Sequence, residues 1–269
     1  MLCGALLAAC ATGTDPASRL ARAEARAAGA GLERGRVEAG PFVLTRFLRT
    51  APQAGRLVIY LEGDGAAWHA DRRRVRATPP PVEPVALSLA LQDPAPALAW
   101  LGRPCQLVLP DDARGCEPSL WSDRRFAEPV VAALDEAVEA LRAQAGVRRV
   151  ELVGFSGGGV LAALLAARRQ DVTALVTVAA PLDLRAWREH HGLGSLEAAD
   201  PARIDAPRLL ATPQVHFLGA RDEVVPPFLL SGYAEARPRA RLVTVPGMEH
   251  GGWVEGWAAR IESARAALR

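Results

Sequence analysis

The pentad Gly154-Phe155-Ser156-Gly157-Gly158 constrains this chain more than any other stretch. It fits G-x-S-x-G and joins two segments of different pattern. Val150 to Val153 is a short apolar run that reads as a buried strand, and Gly159 to Ala167 is an Ala/Leu-rich run that reads as a helix. A serine on a sharp strand-to-helix turn is pushed up from the end of a sheet. Glycines flank it because a side chain there meets neighbouring backbone, and because glycine accepts strained φ/ψ. The following helix aims its free N–H groups back at the serine, where negative charge develops when a carbonyl is attacked. The stretch reads as a nucleophile with part of an oxyanion hole attached. The plain alternative is a glycine-rich turn.

A serine hydroxyl needs a base to take its proton, usually a histidine oriented by a carboxylate. The chain has five histidines: His69, His190, His191, His216 and His250. His250 follows a predicted strand, Leu242 to Val245, and a turn at Pro246-Gly247-Met248. Gly251 and Gly252 come next, so His250 lies on a loop at a strand end. Val215 to Leu218 reads as another strand that runs into Gly219 to Pro227, placing Asp222 on the loop directly after it. Asp183, after the predicted strand Ala174 to Val178, is the rival acid. Glu249 adjoins His250 in sequence and is poorly placed to orient its ring.

The order Ser156, Asp222, His250, each on a strand-end loop, resembles the α/β-hydrolase superfamily from about Phe42 to the end of the chain. The resemblance implies a three-layer α/β fold with a mostly parallel central sheet and helices on both faces. It implies Ser156 as nucleophile, Asp222 as acid and His250 as base, with no cofactor and no metal. It further implies a serine hydrolase of ester or related acyl substrates working through an acyl-enzyme, with thioesterase, lipase and peptidase chemistry open on the same triad. In this superfamily a loop after an early strand supplies a second oxyanion N–H. Here Leu57 to Leu61 is that strand and Glu62-Gly63-Asp64-Gly65 that loop, with Glu in place of the His of an H-G type motif. The expected donors are Gly157 N–H and one from Gly63, Asp64 or Gly65. The chain also looks similar to uncharacterised bacterial α/β-hydrolase lipoproteins. The alternative is a noncatalytic envelope lipoprotein, used for binding or assembly on the same scaffold.

The lipoprotein resemblance rests on Leu7-Ala8-Ala9-Cys10, which matches the bacterial lipobox. It implies a signal segment over residues 1–10, lipidation at Cys10, and a membrane-anchored protein facing the periplasm, against a cytoplasmic alternative. No basic residue precedes Cys10 and the segment is short for a signal, so part of it is expected upstream. Of the four cysteines, Cys105 and Cys116 then remain. They bracket Pro110 to Gly115, and a disulfide closing so short a loop would contribute roughly 3 kcal/mol in an oxidising compartment. Two reduced thiols are the alternative. No C-x-x-C or Cys/His zinc spacing occurs, and His190 and His191, being adjacent, are expected to diverge.

With 269 residues, half of them hydrophobic, the chain can bury a full core, and its net charge of +2 implies no nucleic-acid partner. Every basic side chain apart from histidine is Arg, because the chain has no Lys. Arg72-Arg73-Arg74 and Arg76 are either a solvated surface or a grip on an anionic substrate. Residues 11–40 read as a helical or irregular region, with a helix within Asp15 to Gly31. Residues 41–269 read as one domain. Within it, strands are expected at Phe42 to Phe47 and Leu98 to Leu101, and a helix at Val85 to Gln92. The clearest helix spans Arg124 to Ala145, with Phe126, Val130, Leu134, Val138 and Leu141 on one face, Ser122 as N-cap and Gly146 as stop. Residues 181–213 exceed a bare connection and read either as a short cap or as a peripheral helix. Trp68, Trp253 and Trp257 either line an acyl pocket or pack beneath loops. No long apolar lid pattern is present.

Overall fold

In the computed structural model, which describes residues 15–65, 67, 74–77 and 83–268, eight strands among those residues form one sheet. The elements run α1 (Pro16–Gly29), β1 (Glu33–Ala39), β2 (Phe42–Arg49), β3 (Leu57–Leu61), α2 (Val85–Ala90), β4 (Leu98–Leu101), α3 (Glu128–Gln144) and β5 (Val150–Phe155). They continue with α4 (Gly157–Arg168), β6 (Val172–Val178), α5 (Leu184–His191), α6 (Pro207–Ala211), β7 (Gln214–Gly219), α7 (Ser231–Glu235), β8 (Ala240–Val245) and α8 (Trp257–Ala267). The sheet order is β1-β2-β4-β3-β5-β6-β7-β8. The β1–β2 and β2–β4 pairs are antiparallel, and every pairing from β4 across to β8 is parallel.

Parallel strands need covering on both faces, and the period of two along each strand supplies two apolar faces. Leu57, Ile59 and Leu61 of β3 enter one core with Val150 and Leu152 of β5 and the buried sides of α3 and α4. Val58 and Tyr60 enter the other core with Val153 and Phe155, against α1, α2 and α8. Helix α4 is buried from Gly157 to Ala166, so its Ala/Leu run is spent on packing on all sides. This is the three-layer arrangement expected, with β4 at Leu98–Leu101 as read from the sequence.

Three local expectations are corrected. The long helix starts at Glu128, not Arg124; its N-cap is Ala127 and Pro129 sits in its first turn. Ser122 caps nothing there, because its hydroxyl donates to Pro118 O and bonds the Asp123 carboxylate. Residues 11–40 are not merely helical or irregular, since Glu33–Ala39 is an edge strand paired with β2 from Glu33↔Leu48 to Ala39↔Phe42. Residues 181–213 hold α5 and α6; α6 packs on α4, while Trp187 Nε1 and His191 Nε2 of α5 both bond Val224 O. His190 and His191 do not diverge: their rings meet edge to face at 4.8 Å.

The amino ends of the strands are tied by charge. Glu151 accepts from Arg56 Nε at 2.8 Å and Arg265 Nε at 2.9 Å, and Asp93 takes both Arg265 Nη groups and Tyr60 OH. Two open concavities of ≈ 430 and ≈ 450 Å³ lie at this end, around Arg56 and Arg265, away from Ser156. On β7, His216 is fully enclosed, bonded to Thr177 Oγ1 at 2.8 Å and Gln214 Oε1 at 3.2 Å. Burial pushes its imidazole down to about 3, so it is neutral in the folded chain. An unfolded histidine takes its proton near ~6.5. Stability from His216 is therefore complete above that value and declines as pH falls toward about 3. We expect the urea midpoint of wild type to fall across this window more steeply than that of His216→Gln, by up to about 1.4 kcal/mol per pH unit. Parallel slopes for the two proteins would exclude a buried neutral His216.

Candidate active site

Ser156 sits between β5 and α4 with φ +50° and ψ −125°, a backbone conformation that a non-glycine residue adopts at a cost on the order of 1–3 kcal/mol. The turn is held by Ser156 N donating to Val178 O at 2.8 Å and Gly159 N donating to Ser156 O at 2.9 Å. Space decides the glycines that follow. A Cβ on Gly158 would run into the Leu61 and Glu62 carbonyls at the end of β3, and one on Gly159 into Ala180.

His250 stands on the loop after β8, and its Nε2 lies 3.1 Å from Ser156 Oγ. Its Nδ1 lies 2.9 Å from Asp222 Oδ2 on the loop after β7. The Asp222 side chain is fully buried. Its other oxygen accepts Val224 N and Val225 N, each at 2.8 Å. A carboxylate so fixed accepts Nδ1–H, which leaves the Nε2 lone pair facing the serine hydroxyl. Gly219 lets the two loops meet, because a Cβ there would stand 2.5 Å from Met248 O. The structure thus brings Ser156, Asp222 and His250 together in the order read from the sequence. Asp183 is elsewhere: it caps α5 through Ala186 N at 2.8 Å and pairs with Arg203 at 2.7 Å. Glu249 is exposed, with Arg221 at 3.8 Å.

Of the tryptophans, Trp253 and Trp257 are buried completely. Trp253 Nε1 donates to His250 O at 3.0 Å and so supports the histidine loop, while Trp257 Nε1 donates to Tyr60 OH at 2.9 Å. Trp68, Arg72, Arg73 and the lipidation candidate Cys10 lie outside the described residues. Arg74 and Arg76 belong to the described stretch 74–77, where Arg76 O accepts Trp121 Nε1.

The oxyanion loop departs from expectation. The β3–β5 pairing, with Leu61 opposite Gly154, sets Glu62 to Gly65 beside the serine turn. Gly63 N–H, however, donates to Glu62 Oε1 at 3.0 Å and is spent. Glu62 is buried and also accepts Ala86 N, Leu87 N and Trp100 Nε1, tying the loop to the start of α2. Burial pushes its carboxyl up, against these donors. The donors that remain are Gly157 N–H, at the first position of α4 where no intrahelical partner exists, and the N–H of Asp64 or Gly65.

Three charged or polar groups beside this loop gave no signal in the sequence. Asp64 Oδ1 pairs with Arg103 Nη1, and Oδ2 lies 3.0 Å from Arg125 Nε. Both guanidinium groups are buried, and Arg125 is stacked between Phe126 and Trp187 at 5.1 and 5.7 Å. Burial alone would raise the Asp64 carboxyl, but the two arginines outweigh it and hold it below its ordinary value. Gln106 Nε2 donates to Gly63 O at 3.0 Å. Arg103 and Gln106 flank Cys105, which is bonded to Cys116 as expected.

A family profile described as the alpha/beta hydrolase fold matches residues 112–218. Solved structures agree in fold. An alpha-beta serine hydrolase homologue from Coxiella burnetii has a TM-score of 0.57 at 15% identity, covering 88% of this chain and 96% of its own. Est1E from Butyrivibrio proteoclasticus has 0.58 at 16% identity over 87% and 99% of the two chains. A membrane phospholipase A, described as a bacterial virulence factor, has 0.56 at 19% identity over 94% and 92%. No curated protein is significantly similar in sequence. The chain has the α/β-hydrolase fold.

Because the serine turn rests on close backbone approach, Gly158→Ala is expected to destabilise the chain by about 1–3 kcal/mol. Gly194, whose Cβ would meet nothing within 4 Å, provides the comparison. Its alanine variant should stay within about 0.5 kcal/mol of wild type. Urea unfolding of the three proteins tests this, and an unshifted midpoint for Gly158→Ala would show that the contact is not tight.

Proposed function

We propose that this chain is a serine hydrolase of esters or related acyl compounds. The observation that carries the reading is His250, which bridges Ser156 Oγ at 3.1 Å and buried Asp222 at 2.9 Å. As Oγ attacks a substrate carbonyl carbon, His250 Nε2 takes its proton and Asp222 supports the imidazolium. The carbonyl π pair moves to oxygen, which Gly157 N–H and one N–H of the loop after β3 receive. Collapse of the tetrahedral species breaks the bond to the leaving group, which takes the proton back from Nε2. Water then attacks the acyl carbon as the same histidine takes its proton; collapse breaks the carbon–Oγ bond, Oγ takes the proton back from Nε2, and the acid product departs. The reading is supported by the fold shared with Est1E and the serine hydrolase homologue.

Lipidation at Cys10 belongs to the same proposal. Its support is the Leu7-Ala8-Ala9-Cys10 sequence, together with a disulfide of the kind that persists in oxidising compartments. Intact mass of the protein purified from its native host tests it: a diacylglyceryl increment on Cys10 is expected, and an unmodified Cys10 would remove the envelope from the proposal.

A fluorophosphonate probe should add once to wild type and not at all to Ser156→Ala, read by intact mass. A folded wild type that takes no probe would sink the hydrolase reading. Asp222→Asn is expected to lower kcat by on the order of 10⁴ through loss of the correct tautomer, measured with a chromogenic ester. Since only neutral imidazole accepts the serine proton, the rate should be full on the alkaline side and fall on acidification. A rate undiminished at about pH 4 would rule out His250 as the base.

A further inference from the structure

We propose that Gln106, on the loop closed by the Cys105–Cys116 disulfide, and Arg103, two residues before that loop, are positioning residues that set Asp64 N–H as the second oxyanion donor. The inference rests on the hydrolase reading above and identifies what builds that site.

The Gly63–Asp64 peptide is fixed from one side. Gln106 is buried, and its Nε2 grips Gly63 O at 3.0 Å. In a trans peptide the N–H of the next residue points opposite to that carbonyl. Asp64 N–H is therefore turned away from Gln106 by the bond that holds Gly63 O. Glu62 has already taken Gly63 N–H at 3.0 Å. Gly63 itself lies against the end of β5, since its Cβ would stand 3.0 Å from the Phe155 ring and 3.1 Å from Phe155 O. The peptide whose orientation Gln106 decides is thus next to the serine turn.

The Asp64 side chain is fixed as well. It overhangs the first residue of α4, where a Cβ on Gly157 would run into its carboxylate. A free carboxylate at that place would take the Gly157 N–H, because a helix N-terminus attracts anions. Arg103 and Arg125 hold both carboxylate oxygens instead.

The gripping residues share one short segment. Arg103 and Gln106 straddle Cys105, and Arg103 N lies 3.4 Å from Gln106 Oε1. Cys105 and Leu107 hold φ of +72° and +51°, so the backbone presenting Gln106 is itself outside the ordinary region. The bond to Cys116, 11 residues on, ties that backbone down. Opening the disulfide therefore loosens the loop on which the oxyanion donor depends.

The test is Gln106→Met, which keeps volume and removes the donor, assayed with a chromogenic ester and with a trifluoromethyl ketone that forms a tetrahedral adduct on Ser156. A misplaced oxyanion donor should lower kcat on the order of 100-fold with little change in KM. The ketone should lose affinity by a similar factor, and the acidic limb of the pH profile should stay in place. Reduction of wild type with dithiothreitol should slow fluorophosphonate labelling, and reoxidation should restore it; this arm decides if Gln106→Met fails to fold. A folded Gln106→Met within about twofold of wild type in kcat/KM, or reduced protein labelling at the full rate, overturns the inference and leaves the hydrolase reading standing. A wild type inert to ester and probe overturns both.

Discussion

The site depends on backbone meeting backbone at the turn around Ser156. The carbonyls ending β3 press against Gly158, Ala180 just past β6 presses against Gly159, and the turn closes over Gly154. None of these places has room for a methyl group. The loop after β3, Ser156 and the start of α4 are therefore held at contact distance by the absence of side chains. The strained φ of Ser156 is offset by its bonds to Val178 and Gly159 and by burial of the whole first two turns of α4. Strain of this kind persists only where surrounding packing over-determines it, and here packing comes from both faces of the sheet.

Charge is arranged differently at the two ends of the sheet. At the amino ends, Glu151 and Asp93 are matched by Arg56 and Arg265 in closed pairs that fasten α8 to the strands. Pairs of this type fix geometry more than they add stability. At the carboxyl ends Asp64 faces both Arg103 and Arg125, and Asp123 also acts on Arg125. The carboxyl ends of parallel strands are where such sheets present their ligands.

The sequence was most legible where one residue type has one physical use. Ser156 on its glycine turn, and Asp222 and His250 at strand ends, were found because loops after buried parallel strands converge on one edge. Asp222 is named over its rival Asp183 by the resemblance, and the fold supplies the physical reason, since both follow a strand and only Asp222 reaches the imidazole. Glu33–Ala39 escaped notice because an edge strand exposes most of its side chains; Val37 and Ala39 alone are buried, too few to show alternation. The start of α3 was misplaced because Phe126 continues its apolar spacing although Pro129 sets the first turn. Arg103, Gln106 and Arg125 lie in the irregular stretch between β4 and α3, where no period exists to mark a side chain as buried.

Glu62 shows how one substitution in a motif redirects its neighbours. A histidine at that place would leave the loop amides to be set by the loop's own turn. A carboxylate with three backbone N–H donors and Trp100 around it draws Gly63 N–H inward. In the proposed site the second N–H comes one peptide later, and that peptide is held from its carbonyl side by Gln106. A donor held only by its own loop would move with that loop. One held between Glu62, just past β3, and Gln106 on a disulfide-closed segment is fixed at both ends before substrate arrives. Reorganisation in the transition state is then small, which is the condition under which a backbone N–H is most effective toward developing charge.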